Sequence, residues 1–107
     1  MVGISEIAIS AIAVEEIFYG LAWKPNSRIQ AWFETFLDSN CLILPVTPAI
    51  AKLAGKMRGE LQSQGKPRSQ ADMIIAATAQ IHQLTLVTRN IRDFEGCGIV
   101  LVNPFSV

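Results

Sequence analysis

Three acidic residues lie where an α/β fold would present them to a ligand. Glu16 lies in a predicted helix, Asp72 begins a later helix, and Asp93 follows a predicted strand with Asn90 nearby. In open parallel sheets, ligands bind at the carboxyl ends of the strands, so side chains that follow strands can converge there. Carboxylates at 4 Å repel each other by about 4 kcal/mol at an effective dielectric of about 20. A hard divalent cation removes that penalty, and Mg²⁺ or Mn²⁺ suits these oxygen donors better than zinc.

The elements that would hold these residues alternate between strands and helices. Short apolar runs predict strands at 7–10, 41–44, 85–88 and 99–102. Helical spacing predicts helices over 13–21, 27–39, 48–64 and 69–83, the last buried on most sides. This alternation predicts one α/β domain over residues 1–107, with a parallel sheet and helices on its faces.

Capping residues and turn formers set the predicted boundaries. Thr47 followed by Pro48 is a helix start, with Thr as the N-cap and Pro in the first helical position. Ser27 is the predicted N-cap of a second helix, and Ser69 begins a third. Gly20 lies close to where the first helix should end, and residues 65–68 and 89–98 are predicted to be polar connections.

Bulk composition excludes several classes of protein. The 107 residues are 50% hydrophobic and 17% charged, which is typical of a globular chain with a sizeable core. No apolar run approaches the roughly 18 residues of a membrane span, and Glu6 lies where a signal peptide would carry positive charge. Cys41 and Cys97 lack the companions of a zinc site. We therefore expect a cytoplasmic protein with no membrane partner and two reduced thiols.

The charges are divided unequally between the two halves of the chain. Residues 1–51 hold two basic and five acidic side chains, whereas residues 52–107 hold seven basic and four acidic ones, giving −3 and +3. This asymmetry permits a basic side that faces phosphates, although Lys and Arg more often form an ordinary solvated surface. The basic residues of the second half are Lys52, Lys56, Arg58, Lys66, Arg68, Arg89 and Arg92.

Three sequence motifs together resemble a known family. The first is Ile9-Ser-Ala-Ile-Ala-Val-Glu-Glu-Ile-Phe-Tyr-Gly20, a strand followed by a helix with a Glu and an aromatic-Gly pair. The second is Ala71-Asp-Met-Ile-Ile-Ala-Ala-Thr-Ala79, and the third is Leu86-Val-Thr-Arg-Asn-Ile-Arg-Asp-Phe94, followed by Val102-Asn-Pro-Phe105. In this order the motifs resemble the PIN-domain ribonucleases of the VapC toxin type, and they cover nearly the whole chain.

The resemblance implies metal-dependent hydrolysis of RNA by a PIN-like three-layer sandwich with helices on both faces of a parallel sheet. Glu16 and Asp72 would be ligands of Mg²⁺ or Mn²⁺, with Asn90 and Asp93 completing the site. Arg89 or Lys66 would contact substrate phosphates. Thr88 would either position a metal-bound water or pack at a strand end. Implied partners are an RNA substrate, a small antitoxin and a further copy of the chain in a homo-oligomer.

Two departures from the family pattern lower the expected activity. VapC-like proteins carry an Asp in a D-T-N-like first strand, whereas here no D-T-N occurs and only 15 residues precede Glu16. We therefore expect the first strand to be missing. Asn90 stands where the family often has a fourth acid, and an amide binds a divalent cation more weakly than a carboxylate. The interpretation is a toxin ribonuclease with reduced or no activity.

Structural roles for the same residues remain open at this point. Glu16 could be a solvent-facing helix residue, Asp72 could belong to the S-x-x-D capping box that begins at Ser69, and Asp93 could stabilise a turn. A rival function is a catalytically inactive binding or dimerisation module, or a toxin remnant. Residues expected to lie in the core or in dimer contacts rather than to stack on nucleobases are Trp23, Trp32 and Phe33.

Overall fold

A computed structural model describes residues 7–104 as two compact units, divided after Pro45. In the described residues, each unit contains one two-stranded parallel sheet and two α-helices. Glu6 and Phe105 lie outside the described residues, and the single domain over residues 1–107 stays a prediction. Between residues 7 and 104, no helix has the length and apolar character needed to cross a bilayer.

The first unit consists of β1 (Ile7–Ser10), α1 (Ala11–Trp23), α2 (Ser27–Asn40) and β2 (Cys41–Leu44). The two strands pair in parallel, with Ile7 opposite Cys41 and Ser10 opposite Leu44. Both strands have the predicted bounds. The parallel pairing predicted from the alternation of strands and helices is therefore confirmed in this unit.

Two predicted helix boundaries in the first unit are wrong. Helix α1 continues past Gly20 to Trp23, because the Gly20 carbonyl accepts a hydrogen bond from the Lys24 N–H at 2.9 Å and the turn is completed there. Asn26, not Ser27, caps α2, since the Asn26 Oδ1 accepts from the Ile29 N–H at 3.0 Å. Asn is as good an N-cap as Ser. Because Asn26 stands one residue earlier, it takes the N-cap position and Ser27 becomes the first residue of α2.

The second unit consists of α3 (Pro48–Ser63), α4 (Gln70–Ile81), β3 (Leu86–Val87), a 3₁₀ helix (Ile91–Phe94) and β4 (Leu101–Val102). Strands β3 and β4 pair in parallel, although both are shorter than predicted. The cap of α3 is confirmed, because the Thr47 Oγ1 accepts a hydrogen bond from the Ile50 N–H at 3.2 Å.

The core of the second unit lies between its two helices. Ile50 on α3 and Met73 on α4 have no exposed surface, and Ala76 and Ala77 are equally buried. Small alanine side chains let two helices approach closely, which explains why α4 is buried on most sides as predicted. The remaining members of this cluster are Ala54, Leu61, Phe94 and Cys97.

The segment 89–98 is not the purely polar connection that its composition predicts. It contains the 3₁₀ helix, and both Phe94 and Cys97 are only 5% exposed. Because two apolar side chains are buried here, the segment is anchored to the core rather than free to vary. It follows that Asn90 and Asp93 are held on an ordered element that packs against α4.

Candidate active site

Asp72 lies in the first turn of α4, directly behind the cap of that helix. The Ser69 Oγ accepts a hydrogen bond from the Asp72 N–H at 3.0 Å, so the capping interaction uses the backbone of Asp72 and not its carboxylate. The side chain is half-buried, and the positive end of the helix dipole favours a carboxylate at this position. The predicted helix start is confirmed, and a ligand role for the carboxylate is compatible with it.

Arg68 holds the 3₁₀ helix in place. Its Nη1 donates a 2.7 Å hydrogen bond to the backbone carbonyl of Asp93, 25 residues further along the chain. The Asp93 N–H in turn donates to the Asn90 carbonyl at 3.0 Å. In the sequence, Arg68 stands out only as one of several basic residues, because no spacing rule connects an Arg before one helix with a carbonyl in a later connection.

Charged residues near the start of α4 shift the pKa of the Cys97 thiol. Burial raises the pKa of this thiol, the nearby Arg68 guanidinium lowers it, and the Asp72 carboxylate raises it. The Cys97 Sγ also lies 3.9 Å from the Met73 Sδ in the core. Arg68 and Asp72 therefore act on one buried thiol, and one positive and one negative side chain share this region of the second unit.

Thr88 has a structural role at the end of β3. It is half-buried, its Oγ1 accepts a hydrogen bond from the Asn90 N–H at 3.0 Å, and its own N–H donates to the Val102 carbonyl at 2.9 Å. Of the two roles considered for Thr88, packing at a strand end is the one that these contacts favour. The side chains of Arg89 and Asn90 that follow are exposed.

Lys66 lies in the turn that ends α3. Its N–H donates to the Leu61 carbonyl at 2.8 Å, while the Gly65 N–H donates to the Gln62 carbonyl at 3.0 Å. This pair of bonds is a Schellman motif, and Gly65 takes the left-handed conformation that the motif requires, with φ of 76°. The turn thereby fixes the backbone of Lys66 and leaves its side chain exposed.

Glu16 belongs to the first unit, where it is an exposed residue of α1. Its convergence with Asp72 on one metal site stays a prediction. Among residues 7–104, no group of three or more His, Cys, Asp or Glu side chains is arranged to hold a metal ion. The predicted ligands fit a hard cation in the kind of donor, since all are oxygen donors.

The aromatic residues of the first unit divide into a core residue and surface residues. Phe33 is 5% exposed and lies 5.6 Å, between ring centroids, from Phe18. Trp23 and Trp32 are 74% and 65% exposed, so a place in the core is wrong for both. Trp32 stacks on Phe36 at 5.4 Å with the rings 7° from parallel. A dimer contact at the two tryptophans stays a prediction.

Residues 1–96 match the family described as the PIN domain. A VapC ribonuclease from Sinorhizobium fredii is 30% identical to this chain over 109 residues, which cover 96% of the chain and 78% of the relative. A tRNA(fMet)-specific endonuclease VapC from Shigella flexneri is 34% identical over 103 residues, covering 94% of the chain and 76% of the relative.

The same likeness extends to solved structures. VapBC2 from Rickettsia felis, solved bound to a DNA fragment from its promoter, superposes with a TM-score of 0.79 at 32% identity. The matched region covers 92% of this chain and 74% of that one. The predicted PIN-like α/β fold is thereby confirmed.

Proposed function

Because the chain belongs to the PIN-domain family and within it to the VapC toxin–antitoxin ribonucleases, we propose that it is a metal-dependent endoribonuclease of low activity. In this proposal it is the toxin of a toxin–antitoxin pair. The observation that carries the proposal is the family match over residues 1–96, which includes both Glu16 and Asp72. The relatives named as ribonuclease and tRNA-specific endonuclease make RNA the proposed substrate.

The proposed metal ligands are Glu16 and Asp72, with Asn90 and Asp93 as supplementary oxygen donors. A bound Mg²⁺ or Mn²⁺ would supply the Lewis acidity needed to hydrolyse a phosphodiester. Affinity for such an ion grows with the charge of its ligands. Since Glu16 and Asp72 are the two carboxylates that match the family motifs and Asn90 is neutral, we expect weak binding, a millimolar metal requirement and reduced or no turnover.

Residues of the second unit would orient the substrate and the ligands. The Ser69 cap fixes the backbone of Asp72, and Arg68 fixes the carbonyl of Asp93 and with it the 3₁₀ helix. The exposed side chains of Arg89 and Lys66 are suited to phosphate contacts. We propose that an antitoxin partner covers this region and that the toxin forms a homo-oligomer. The likeness to the VapBC2 complex supports the antitoxin.

The decisive experiment measures cleavage of labelled tRNA by the wild type and by Asp72→Asn, each with millimolar Mg²⁺ or with EDTA. We expect low wild-type activity that Asp72→Asn and EDTA both abolish, because Asn keeps the shape of Asp but loses its charge. Asp38→Asn in α2 is the matched control, since it makes the same substitution at an exposed position outside the proposed site. It should cleave like the wild type.

Cleavage that persists in EDTA, or equal rates for wild type and Asp72→Asn, would contradict the metal-site assignment. Robust wild-type cleavage that both treatments abolish would instead show that the low-activity part of the proposal is wrong. Circular dichroism of Asp72→Asn separates a loss of charge from a loss of fold, because the capping hydrogen bond from its backbone N–H is retained.

A second function is a binding or dimerisation module without catalysis, or a toxin remnant. The observation that favours it is Asn90, a neutral amide where the family often has a fourth acid. In that case the wild type would bind an antitoxin and yet show no cleavage at any Mg²⁺ or Mn²⁺ concentration. Cleavage by the wild type that EDTA abolishes would contradict the non-catalytic function.

A further inference from the structure

Helix α3 has one buried and one exposed side. The buried side consists of Ile50, Ala54 and Leu61, all within the core of the second unit. The opposite side is exposed along the whole length of the helix and bears no large apolar residue. Its members are Ala51, Lys52, Gly55, Lys56, Gly59 and Ser63.

Positive charge is concentrated on this exposed side. Lys52 and Lys56 are separated by one helical turn, about 6 Å along the axis at a rise of about 1.5 Å per residue, so both project from the same face. Arg58 is exposed at one flank, and Glu60 is the single acidic residue of α3. Residues 46–51 carry no charge, so the second unit keeps the +3 of its half of the sequence.

Two glycines on this charged face leave the helix backbone uncovered by side chains. A Cβ built onto Gly55 or Gly59 would meet no heavy atom within 4 Å, so open space lies directly above the backbone. Glycine inside a helix is less stable than alanine, and neither position needs it for a turn or a positive φ. A molecule that follows this face along the helix could therefore approach the backbone closely at Gly55 and Gly59.

We infer that the exposed side of α3 binds the sugar–phosphate backbone of RNA, with Lys52 and Lys56 on successive phosphates and Gly55 and Gly59 alongside them. This inference rests on the ribonuclease function proposed above and assigns substrate binding to residues other than the proposed metal ligands. Charge decides the occupant: a two-fold pairing of α3 with a second copy would place lysines against lysines, whereas a phosphate backbone is complementary to them.

The test measures the affinity of a fluorescein-labelled RNA hairpin by anisotropy at several salt concentrations, in EDTA. Lys52→Gln combined with Lys56→Gln should weaken binding and reduce the slope of log affinity against log salt by about 2, which is about 1 for each lysine that no longer neutralises a phosphate. Lys24→Gln combined with Arg28→Gln in the first unit removes the same charge. This matched control should leave the slope unchanged.

Gly59→Leu separates close approach from charge. Leucine is a better helix former than glycine, Gly59 is exposed and a Cβ at this position meets no heavy atom within 4 Å, so the fold should be at least as stable. We expect weaker RNA binding with an unchanged salt slope. Affinity equal to that of the wild type would overturn the close approach of the backbone to the helix.

The inference fails if the lysine pair and its control change the slope equally, or if neither changes it. It also fails if poly-glutamate competes as well as RNA of equal charge, since the surface would then suit an acidic protein. These outcomes differ from failure of the proposed function, which is read as EDTA-insensitive cleavage on a gel. A slope change confined to the lysine pair supports the RNA surface even where cleavage is absent.

Discussion

Each unit has two α-helices and two parallel strands among its described residues, and the two units use their apolar residues differently. In the second unit, Ile50 and Met73 are completely buried. In the first unit, Tyr19, Trp23 and Trp32 are 68%, 74% and 65% exposed. Exposed aromatic side chains of this size are candidates for contact with another molecule. The second unit therefore buries large side chains completely, whereas the first unit leaves three aromatic rings exposed.

The difference follows from side-chain size on the facing helices. Helix α4 presents Ala76 and Ala77 to α3, and these small side chains allow the two backbones to approach. Helix α2 instead carries bulky rings, of which Phe33 is buried while Trp32 stacks on Phe36 within the same helix. A ring that stacks on a neighbour in its own helix is not thereby removed from water, so the apolar surface persists.

The largest expected effect concerns self-association through the first unit. We expect the protein to form oligomers at micromolar concentration. A dimer with a dissociation constant of about 1 μM has a free energy of association of about −8 kcal/mol. Light scattering measures this directly, and Trp32→Ser should shift the equilibrium toward the monomer because it removes exposed apolar surface. Val100→Ser is the matched control in the second unit, where Val100 is 64% exposed. A wild type that scatters as a clean 11.7 kDa monomer would contradict the prediction.

The next effect contrasts the same substitution in each unit. Ile50→Ala should lower the free energy of unfolding by about 2–5 kcal/mol, because it leaves a cavity in a fully buried site. Ile29→Ala in α2 should cost much less, since Ile29 is 51% exposed. Urea denaturation of both variants gives the comparison. Where Ile50→Ala fails to fold, Ile50→Val still tests the prediction, with an expected loss of about 0.5–1.5 kcal/mol. Equal losses at both positions would break the contrast.

Local sequence rules predicted the parts of the fold that depend on neighbouring residues. Thr47 and Ser69 begin their helices as expected because a cap needs only a side-chain oxygen and an N–H two or three residues away. The parallel fold and its family were also predictable, since the alternation of elements and three motifs agree. The prediction that α1 ends near Gly20 is wrong because glycine ends a helix only where the chain needs a positive φ. Helix α1 has no positive φ at Gly20 and continues to Trp23.

Features that depend on distant contacts could not be read from the sequence. Phe94 and Cys97 look like parts of a polar connection, and only their packing against Met73 and its neighbours makes them core residues. The bond from Arg68 to the Asp93 carbonyl joins positions 25 residues apart. At the candidate site, the sequence identified the carboxylates by type and motif. Whether Glu16 and Asp72 converge depends on tertiary placement, which periodicity does not encode.

A smaller effect concerns alkaline stability and the thiols of the two units. Burial raises the pKa of Cys97 above its ordinary value, so the folded protein keeps the proton after the unfolded chain has lost it. The contribution of the Cys97 thiol to the free energy of unfolding is therefore fully present below the ordinary thiol pKa of about 8.5. This contribution declines as the pH rises from there through the pKa of the folded state. In a Cys41→Ser background, urea denaturation at pH 7 and pH 10 should show a smaller pH-dependent loss for Cys97→Ala. The same loss with and without Cys97 would refute the link.

The smallest effect tests how the helices of the two units end. Helix α4 closes with a Schellman motif in which the Leu84 N–H donates to the Ala79 carbonyl at 2.8 Å, and Gln83 takes a φ of 55°. A residue with a Cβ in this left-handed conformation costs about 1–2 kcal/mol, whereas glycine adopts it freely but loses more entropy on folding, about 0.5–1 kcal/mol. Gln83→Gly should therefore stabilise the protein by roughly 0.5–1 kcal/mol.

Lys24→Gly at the end of α1 is the opposite case, because Lys24 has a φ of −128° and gains nothing from glycine. It should destabilise by a similar amount, and the urea midpoints of the two variants should move in opposite directions. Movement in the same direction would mean that backbone conformation at the helix ends does not distinguish the two units.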